Sequence, residues 1–258
     1  DPTRPAKADP EILAETIKRF AITNIFGSPA LMNVLGRYTE ANGIDLPSVR
    51  RMISAGAAMP VATVRRLPKA LPANAEIFTP YGATECLPVA RVAGSELDEE
   101  VEQRTASGEG TCIGRPVDPN LVRIIPITDS VVESFEGSVE LPVGITGEIV
   151  VHGPTSTDSY WQREEQTRLA KITDSQGRTW HRMGDAGYFE TTGRLWYCGR
   201  KSQRVIMGQE TLFADQVEAV FNVHPEVART ALVGIGPAGH QTPVLCVEPL
   251  DKPNAHRR

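Results

Sequence analysis

Apolar residues recur at helical spacing near the start of the chain, where Ile12, Leu13, Ile17 and Phe20 follow Asp9-Pro10. An Asp before a Pro makes a good N-cap and first helical residue, so this stretch predicts a helix. Residues 21–26, with Ile22, Ile25 and Phe26, predict a short buried strand. Ser28-Pro29 opens a second helix with Leu31, Leu35 and Tyr38 on one face, and Gly43 closes it. Residues 49–53 read as the next strand, Pro60 starts a helix reaching about residue 71, and residues 76–79 form a third strand that runs into Tyr81-Gly82. Strand and helix alternate, which predicts a parallel sheet with right-handed crossovers. Ligands on such sheets sit at the carboxyl ends of strands, and two small-residue turns, Ala55-Gly56-Ala57 and Tyr81-Gly82-Ala83, fall at such ends.

The pattern changes after about residue 90. Residues 91–110 are polar and acidic with little periodicity. Strand-like runs follow at 121–127, 147–152, 180–183 and 194–198, separated by turns such as Thr191-Thr192-Gly193 and interrupted by one helix at 163–170. That pattern predicts a mainly antiparallel or barrel-like unit. Past Gly199 a strand at 204–207, a helix at 214–222 and strands at 227–234 and 244–247 predict a small α+β unit.

Composition narrows the function classes. The 258 residues are 40% hydrophobic and 23% charged, which is ordinary for a globular chain with a sizeable core. Lys and Arg total 27 against 32 Asp and Glu, a formal charge of −5 with no basic run, so a nucleic-acid backbone is excluded as the expected partner. An anionic ligand would have to be held by local positive charge, helix N-termini or a metal. Cys86, Cys112, Cys198 and Cys246 are scattered with no C-x-x-C, which argues for free thiols in a reducing cytoplasm over a disulfide framework or a zinc site. His152, His181, His224, His240 and His256 show no ligand spacing. No stretch approaches the ~18 apolar residues of a membrane span. The first residues are neither a signal peptide nor a Met start, so the chain is expected to be a fragment.

Three constellations carry candidate chemistry. Thr79-Pro80-Tyr81-Gly82-Ala83-Thr84-Glu85 sets an aromatic face, a bare backbone, a hydroxyl and a carboxylate in succession at a strand end. The ring can stack on a purine, Gly82 admits a phosphate to the main chain, Thr84 can bond a phosphate oxygen and Glu85 can hold magnesium. The same string also suits a tight strand–helix turn with a capping Thr and a solvated Glu. Gly184-Asp185-Ala186-Gly187 followed by Gly199-Arg200-Lys201 offers a carboxylate able to accept from both hydroxyls of a ribose and an Arg able to fork onto ribose or phosphate oxygens; a plain turn Asp and a surface Arg fit equally well. Ser54-Ala55-Gly56-Ala57-Ala58 leaves room for a flat base, or for close helix–sheet packing.

Taken in order, these stretches resemble the acyl-adenylate-forming superfamily, which includes acyl-CoA synthetases, luciferases and non-ribosomal adenylation domains. The resemblance runs from about residue 23 to 246 and adds Gly147-Glu148-Ile149, which is similar to the superfamily's Gly-Glu-Ile strand. It implies a mixed α/β and α+β fold: a parallel αβ layer over 1–103, a distorted antiparallel β-barrel over 104–199, and the incomplete start of a mobile C-terminal domain over 200–258. It implies that Ala55, Gly56 and Ala57 wall the adenine, Tyr81 stacks on it with Gly82 beside it, Thr84 contacts phosphate, Glu85 holds magnesium, Asp185 grips the ribose with help from Arg200, and Ser202 is the hinge. The cofactors implied are ATP and Mg2+. The superfamily's phosphate loop would lie before Asp1 and its catalytic lysine beyond Arg258, since Lys252 sits in a Pro-flanked loop; the chain alone is then expected to bind nucleotide weakly and turn over little.

Within the superfamily, Thr79 to Pro88, Trp180-His181-Arg182-Met183-Gly184-Asp185 and the run from Phe221 to Thr230 look most like the β-lactone synthetases of bacterial olefin biosynthesis. These close a long-chain β-hydroxy acid to a β-lactone with release of AMP and pyrophosphate. Acyl-CoA ligases tend to carry Gly-Gly-Glu-Asn past the hinge, and often Lys at the position of Met207. Here Gly208-Gln209-Glu210-Thr211 follows Met207, which puts CoA use in doubt. A long-chain acyl-CoA ligase or adenylation domain, and a non-catalytic nucleotide-binding member, stay as alternatives. The partners implied are small molecules, ATP and a long-chain β-hydroxy or fatty acid, in the cytoplasm, with no membrane span and with room for assembly with other enzymes of the pathway.

Overall fold

The computed structural model describes residues 7–57, 59, 61–135 and 140–250. Ala58, Pro60, Lys252 and His256, named above, lie outside them. The chain forms two compact units, the first comprising Asp1–Tyr81 and Ala90–Glu99, the second Gly82–Val89 and Glu100–Arg258.

The first unit is built from α1 (Pro10–Arg19), β1 (Asn24–Gly27), α2 (Pro29–Asn42), β2 (Arg51–Ser54) and α3 (Val61–Arg66), which tightens into a 3-10 turn at Leu67–Ala70, together with most of β3 (Glu76–Ala83). Strands β1, β2 and β3 are parallel, with Ile25, Met52 and Ile77 side by side across the ladders. The helix starts follow their caps. Asp9 Oδ1 accepts from the Glu11 and Ile12 amides at 3.0 and 3.3 Å, and Ser28 Oγ accepts from the Leu31 amide at 3.3 Å. Met32, Leu35, Leu46, Met52 and Leu67 are buried together beneath the helices, each worth roughly 1.5–3 kcal/mol relative to exposure. The stretch at 21–26 is only partly strand. Ala21 and Ile22 instead close α1, their amides donating to the carbonyls of Lys18 and Ile17, so β1 starts at Asn24.

The second unit is antiparallel. Its strands are β5 (Thr111–Pro116), β6 (Leu121–Ile125), β7 (Gly147–His152), β8 (Lys171–Thr173), β9 (Thr179–Phe189) and β10 (Leu195–Arg200). Strand β9 organises them: β7 lines one edge from His181 to Gly187, while β8 and then β10 line the other. Beyond these, β6 pairs with β7 and β5 with β10. Among the described residues no ladder joins β6 to β5: the antiparallel, barrel-like unit expected here forms as an open sheet and does not close. Closure needs two free edges to meet. Past β5 the Val117 amide instead donates to the Val89 carbonyl at 3.0 Å, and past β6 the chain leaves the sheet. Helix α4 (Glu99–Ala106) occupies the stretch read as featureless; Val101 is its one buried residue, too little for a periodic signal. Helix α5 (Glu164–Ala170) leads directly into β8. Then β11 (Val205–Met207), β12 (Glu210–Leu212), α6 (Ala214–Asn222), β13 (Val227–Ile235) and β14 (Thr242–Pro249) form a small α+β layer around Val205, Ala214 and Leu232.

Gly187 lies where β9 is hemmed in on both edges, opposite Tyr197 of β10 and Gly147 of β7. A Cβ there would sit 2.4 Å from the Trp196 carbonyl oxygen and 2.8 Å from Ile149 Cδ1. Gly187→Ala is therefore expected to destabilise the chain by about 1–3 kcal/mol, as overpacked cores do. Urea unfolding should show a lower midpoint at unchanged slope.

Candidate functional site

The Tyr81 stretch is a hairpin. Strand β3 runs on through Ala83, turns at Thr84 and Glu85, and returns as β4 (Cys86–Ala93), so the alternative of a strand–helix turn capped by Thr84 is not what forms. Glycine at position 82 is required by the hairpin itself, because a Cβ would meet the Cys86 carbonyl oxygen at 2.6 Å. The turn leaves Thr84 exposed and Glu85 half-buried.

Glu85 is held from the segment after β7. Its carbonyl accepts from the Thr157 amide at 2.8 Å, its Oε1 accepts from the Tyr160 hydroxyl at 2.8 Å, and Cys86 bridges to Ser156. The Tyr160 hydroxyl, followed by backbone hydrogen bonding and the charge of Lys171, keeps the Glu85 carboxyl below its ordinary range against the opposing effect of burial. Burial, and then the bond to Glu85, push Tyr160 up to about 12. Lys171 lies opposite His181 on the β8–β9 ladder, and its Nζ donates to both the carbonyl and the hydroxyl of Thr157. Burial lowers Lys171, and burial aided by the Lys171 charge lowers His181 to about 4, so the imidazole is neutral at pH 7.

The second constellation is fixed by register. Arg200 of β10 faces Asp185 of β9 across the ladder, and Arg200 Nη1 lies 3.0 Å from Asp185 Oδ1. Asp185 is buried while about half of the Arg200 side chain is exposed, which leaves a pinned carboxylate beneath an accessible guanidinium. Ser202 lies in the short turn Lys201–Gln203 that joins β10 to β11. Buried Glu148 of β7 flanks this turn: Oε2 accepts from Arg182 Nη2 at 2.6 Å and Oε1 lies 3.0 Å from Lys201 Nζ.

Gly82, Thr84, Glu85, Asp185, Arg200 and Ser202 all belong to the second unit. Ala55, Gly56, Ala57 and Tyr81 belong to the first, where Ala55–Ala57 make a bend just past β2 and Tyr81 is half-buried on β3. Sequence reasoning missed Tyr160, Lys171 and the double pairing of Glu148. Nothing in their local strings marks them, because their partners lie 75, 14 and 34 residues away. A separate cleft of about 380 Å³ between Gly108, Leu212, Phe213 and Val220 contains none of the expected site residues.

The donor set suits magnesium better than a caged metal. Among the described residues no three His, Cys, Asp or Glu converge. Glu85 supplies one ionised carboxylate at a partly open turn, and magnesium takes one or two carboxylates with substrate phosphates and water. No helix among the described residues is long and apolar enough to cross a membrane.

The chain is 52% identical over 252 residues to the olefin beta-lactone synthetase of Xanthomonas campestris pv. campestris, covering 96% of this chain and 44% of that protein. It is 54% identical over 257 residues to the olefin beta-lactone synthetase of Stenotrophomonas maltophilia, covering 97% and 45%. It thus spans about half the length of the curated relatives it matches. Its fold superposes on an amide bond synthetase from Marinactinospora thermotolerans with a TM-score of 0.75 at 25% identity, over 96% of this chain and 46% of that one. The family model described as AMP-binding enzyme matches residues 2–161, more than half of the sequence, and this chain belongs to that AMP-binding enzyme family.

Proposed function

We propose that the protein carrying this chain activates a long-chain β-hydroxy acid with ATP as an acyl-adenylate and closes it to a β-lactone. The observation that carries this reading is the identity of 52% and 54% to two olefin beta-lactone synthetases over nearly the whole chain. The geometry of the second unit supports it, with a metal-suited carboxylate at Glu85 and a ribose-suited carboxylate at Asp185.

A carboxylate is a poor electrophile because its leaving group would be oxide. Attack of the acid's oxygen on the α-phosphorus of ATP expels pyrophosphate and leaves AMP as a good leaving group. In this reading Tyr81 stacks on the adenine beside the Ala55–Ala57 bend and Gly82, Thr84 donates to a phosphate oxygen, and Asp185, oriented by Arg200, accepts from the ribose hydroxyls. Glu85 would hold the magnesium ion together with phosphate oxygens and water. Bound there, the ion supplies neutralisation of the charge that builds on the phosphoryl oxygens. The substrate's β-hydroxyl then attacks the acyl carbon, its proton leaves, and AMP departs. This second step is intramolecular, so orientation replaces a second bound substrate. Residues 200–258 would begin a C-terminal domain that turns about Ser202, after the αβ layer of 1–103 and the antiparallel layer of 104–199.

Met207 and Gln209 weigh against the acyl-CoA ligase alternative. The test is product analysis of the full-length protein with ATP and a racemic β-hydroxy fatty acid, with and without CoA. A β-lactone and AMP without CoA are expected. Thioester formation that requires CoA would replace this reading with the ligase, and nucleotide binding without pyrophosphate release would replace both with a non-catalytic role.

A further inference from the structure

We infer that Tyr160 is a positioning residue for the Glu85 carboxylate, and that Lys171 fastens the strap that carries it. The inference rests on the reading of Glu85 as the magnesium carboxylate.

Glu85 sits on a two-residue turn, where a side chain is free to swing. Three contacts prevent that here, and all come from residues 155–160. The Cys86–Ser156 bridge and the Thr157 amide on the Glu85 carbonyl lay the segment along the hairpin. The Tyr160 hydroxyl then takes Oε1 at 2.8 Å. A carboxylate has two oxygens, and occupying one with a neutral donor leaves the other for a cation while fixing the plane of the group. An Arg or Lys in the same place would cancel the charge that attracts the metal; a phenol does not. Lys171 acts one step further out. Its Nζ, on a side chain almost fully buried, bonds the carbonyl and hydroxyl of Thr157 at the middle of the strap and not the Glu85 carboxylate. The strap itself is anchored at its other end by the Tyr160 amide on Thr167 Oγ1 at 3.0 Å, in the middle of α5. The phenol is thus held from both sides.

The test uses the full-length protein with Mn2+ as the metal probe and a non-hydrolysable ATP analogue, Mn2+ affinity being read by electron paramagnetic resonance. Tyr160→Phe removes one oxygen and keeps the ring. It should weaken Mn2+ binding on the order of 10–100-fold, the usual effect of removing a residue that orients a metal ligand, with the melting temperature little changed. Lys171→Met should move Mn2+ affinity in the same direction by less. In a Glu85→Gln background Tyr160→Phe should have no further effect on Mn2+, because it acts through Glu85. Mn2+ affinity within about twofold of the parent in Tyr160→Phe, with Glu85→Gln impaired, would overturn this inference alone. An equal loss from Tyr160→Phe in the Glu85→Gln background would reduce Tyr160 to a structural role and overturn it too. Unimpaired Mn2+ binding in Glu85→Gln would sink the metal role of Glu85 and this inference with it.

Discussion

Glu85→Gln in the full-length protein is expected to lower pyrophosphate release from ATP and a β-hydroxy acid by on the order of 1,000-fold. The substitution keeps the shape of the side chain. An amide oxygen can still accept from the Tyr160 hydroxyl, whose bond to Glu85 Oε1 is 2.8 Å long, so the hairpin and its strap are expected to persist. What disappears is the negative charge. If that charge holds the metal, the loss is the electrostatic stabilisation of the transferring phosphoryl group, a matter of several kcal/mol, and about 4 kcal/mol corresponds to three powers of ten in rate. The assay is continuous pyrophosphate detection at saturating ATP, with magnesium titrated over a wide range. Recovery of rate at high magnesium would place the defect in metal affinity. A rate within about threefold of the parent at every magnesium concentration would show that Glu85 is no metal ligand.

The hairpin is a good measure of how much could be read from sequence. The run of residue types from Tyr81 to Glu85 suited a nucleotide site and a strand–helix turn alike. It did not announce a β-turn, since Thr84 and Glu85 are poor turn formers by composition and the turn depends on the absence of a Cβ at Gly82 against the Cys86 carbonyl. Helices with strong caps were legible to within a residue, as at Asp9-Pro10 and Ser28-Pro29. Strands β8 and β12 were not: each has three residues, too few for an alternation of its own, and each is set by its ladder partner. The Asp185–Arg200 pair belongs to an intermediate class. Both residues were visible, but their meeting at 3.0 Å follows from the β9–β10 register, which only folding of the intervening turn establishes. Partners such as Tyr160 were illegible because a hydroxyl on an otherwise irregular stretch, 75 residues from the carboxylate it serves, has no local signature.

Glu148→Ala is expected to produce the largest stability loss of any single polar substitution in the second unit, about 3–5 kcal/mol. Glu148 is fully buried and neutralises two cations at once, Arg182 through Oε2 and Lys201 through Oε1. Arg182 is itself buried, and its remaining donors are already spent on the carbonyls of Thr128, Ser130 and Leu169. Removing the carboxylate therefore strands positive charge in a place where neither water nor another acceptor can reach it. Breaking a buried pair costs about 3–5 kcal/mol for that reason, well above the net worth of the pair in the intact protein. At about 2–4 °C per kcal/mol for a unit of this size, the melting temperature should fall by roughly 6–20 °C. Glu76→Ala is the control. It removes an ion pair with Arg51 in which both side chains are about half exposed, and such pairs are worth ~1 kcal/mol or less. The Gly-Glu-Ile strand thus has a physical reason of its own to carry a carboxylate: it welds Arg182, three residues before Asp185, to Lys201, the residue before Ser202. A melting temperature for Glu148→Ala indistinguishable from that of Glu76→Ala would mean that water reaches this cluster and that the weld contributes nothing.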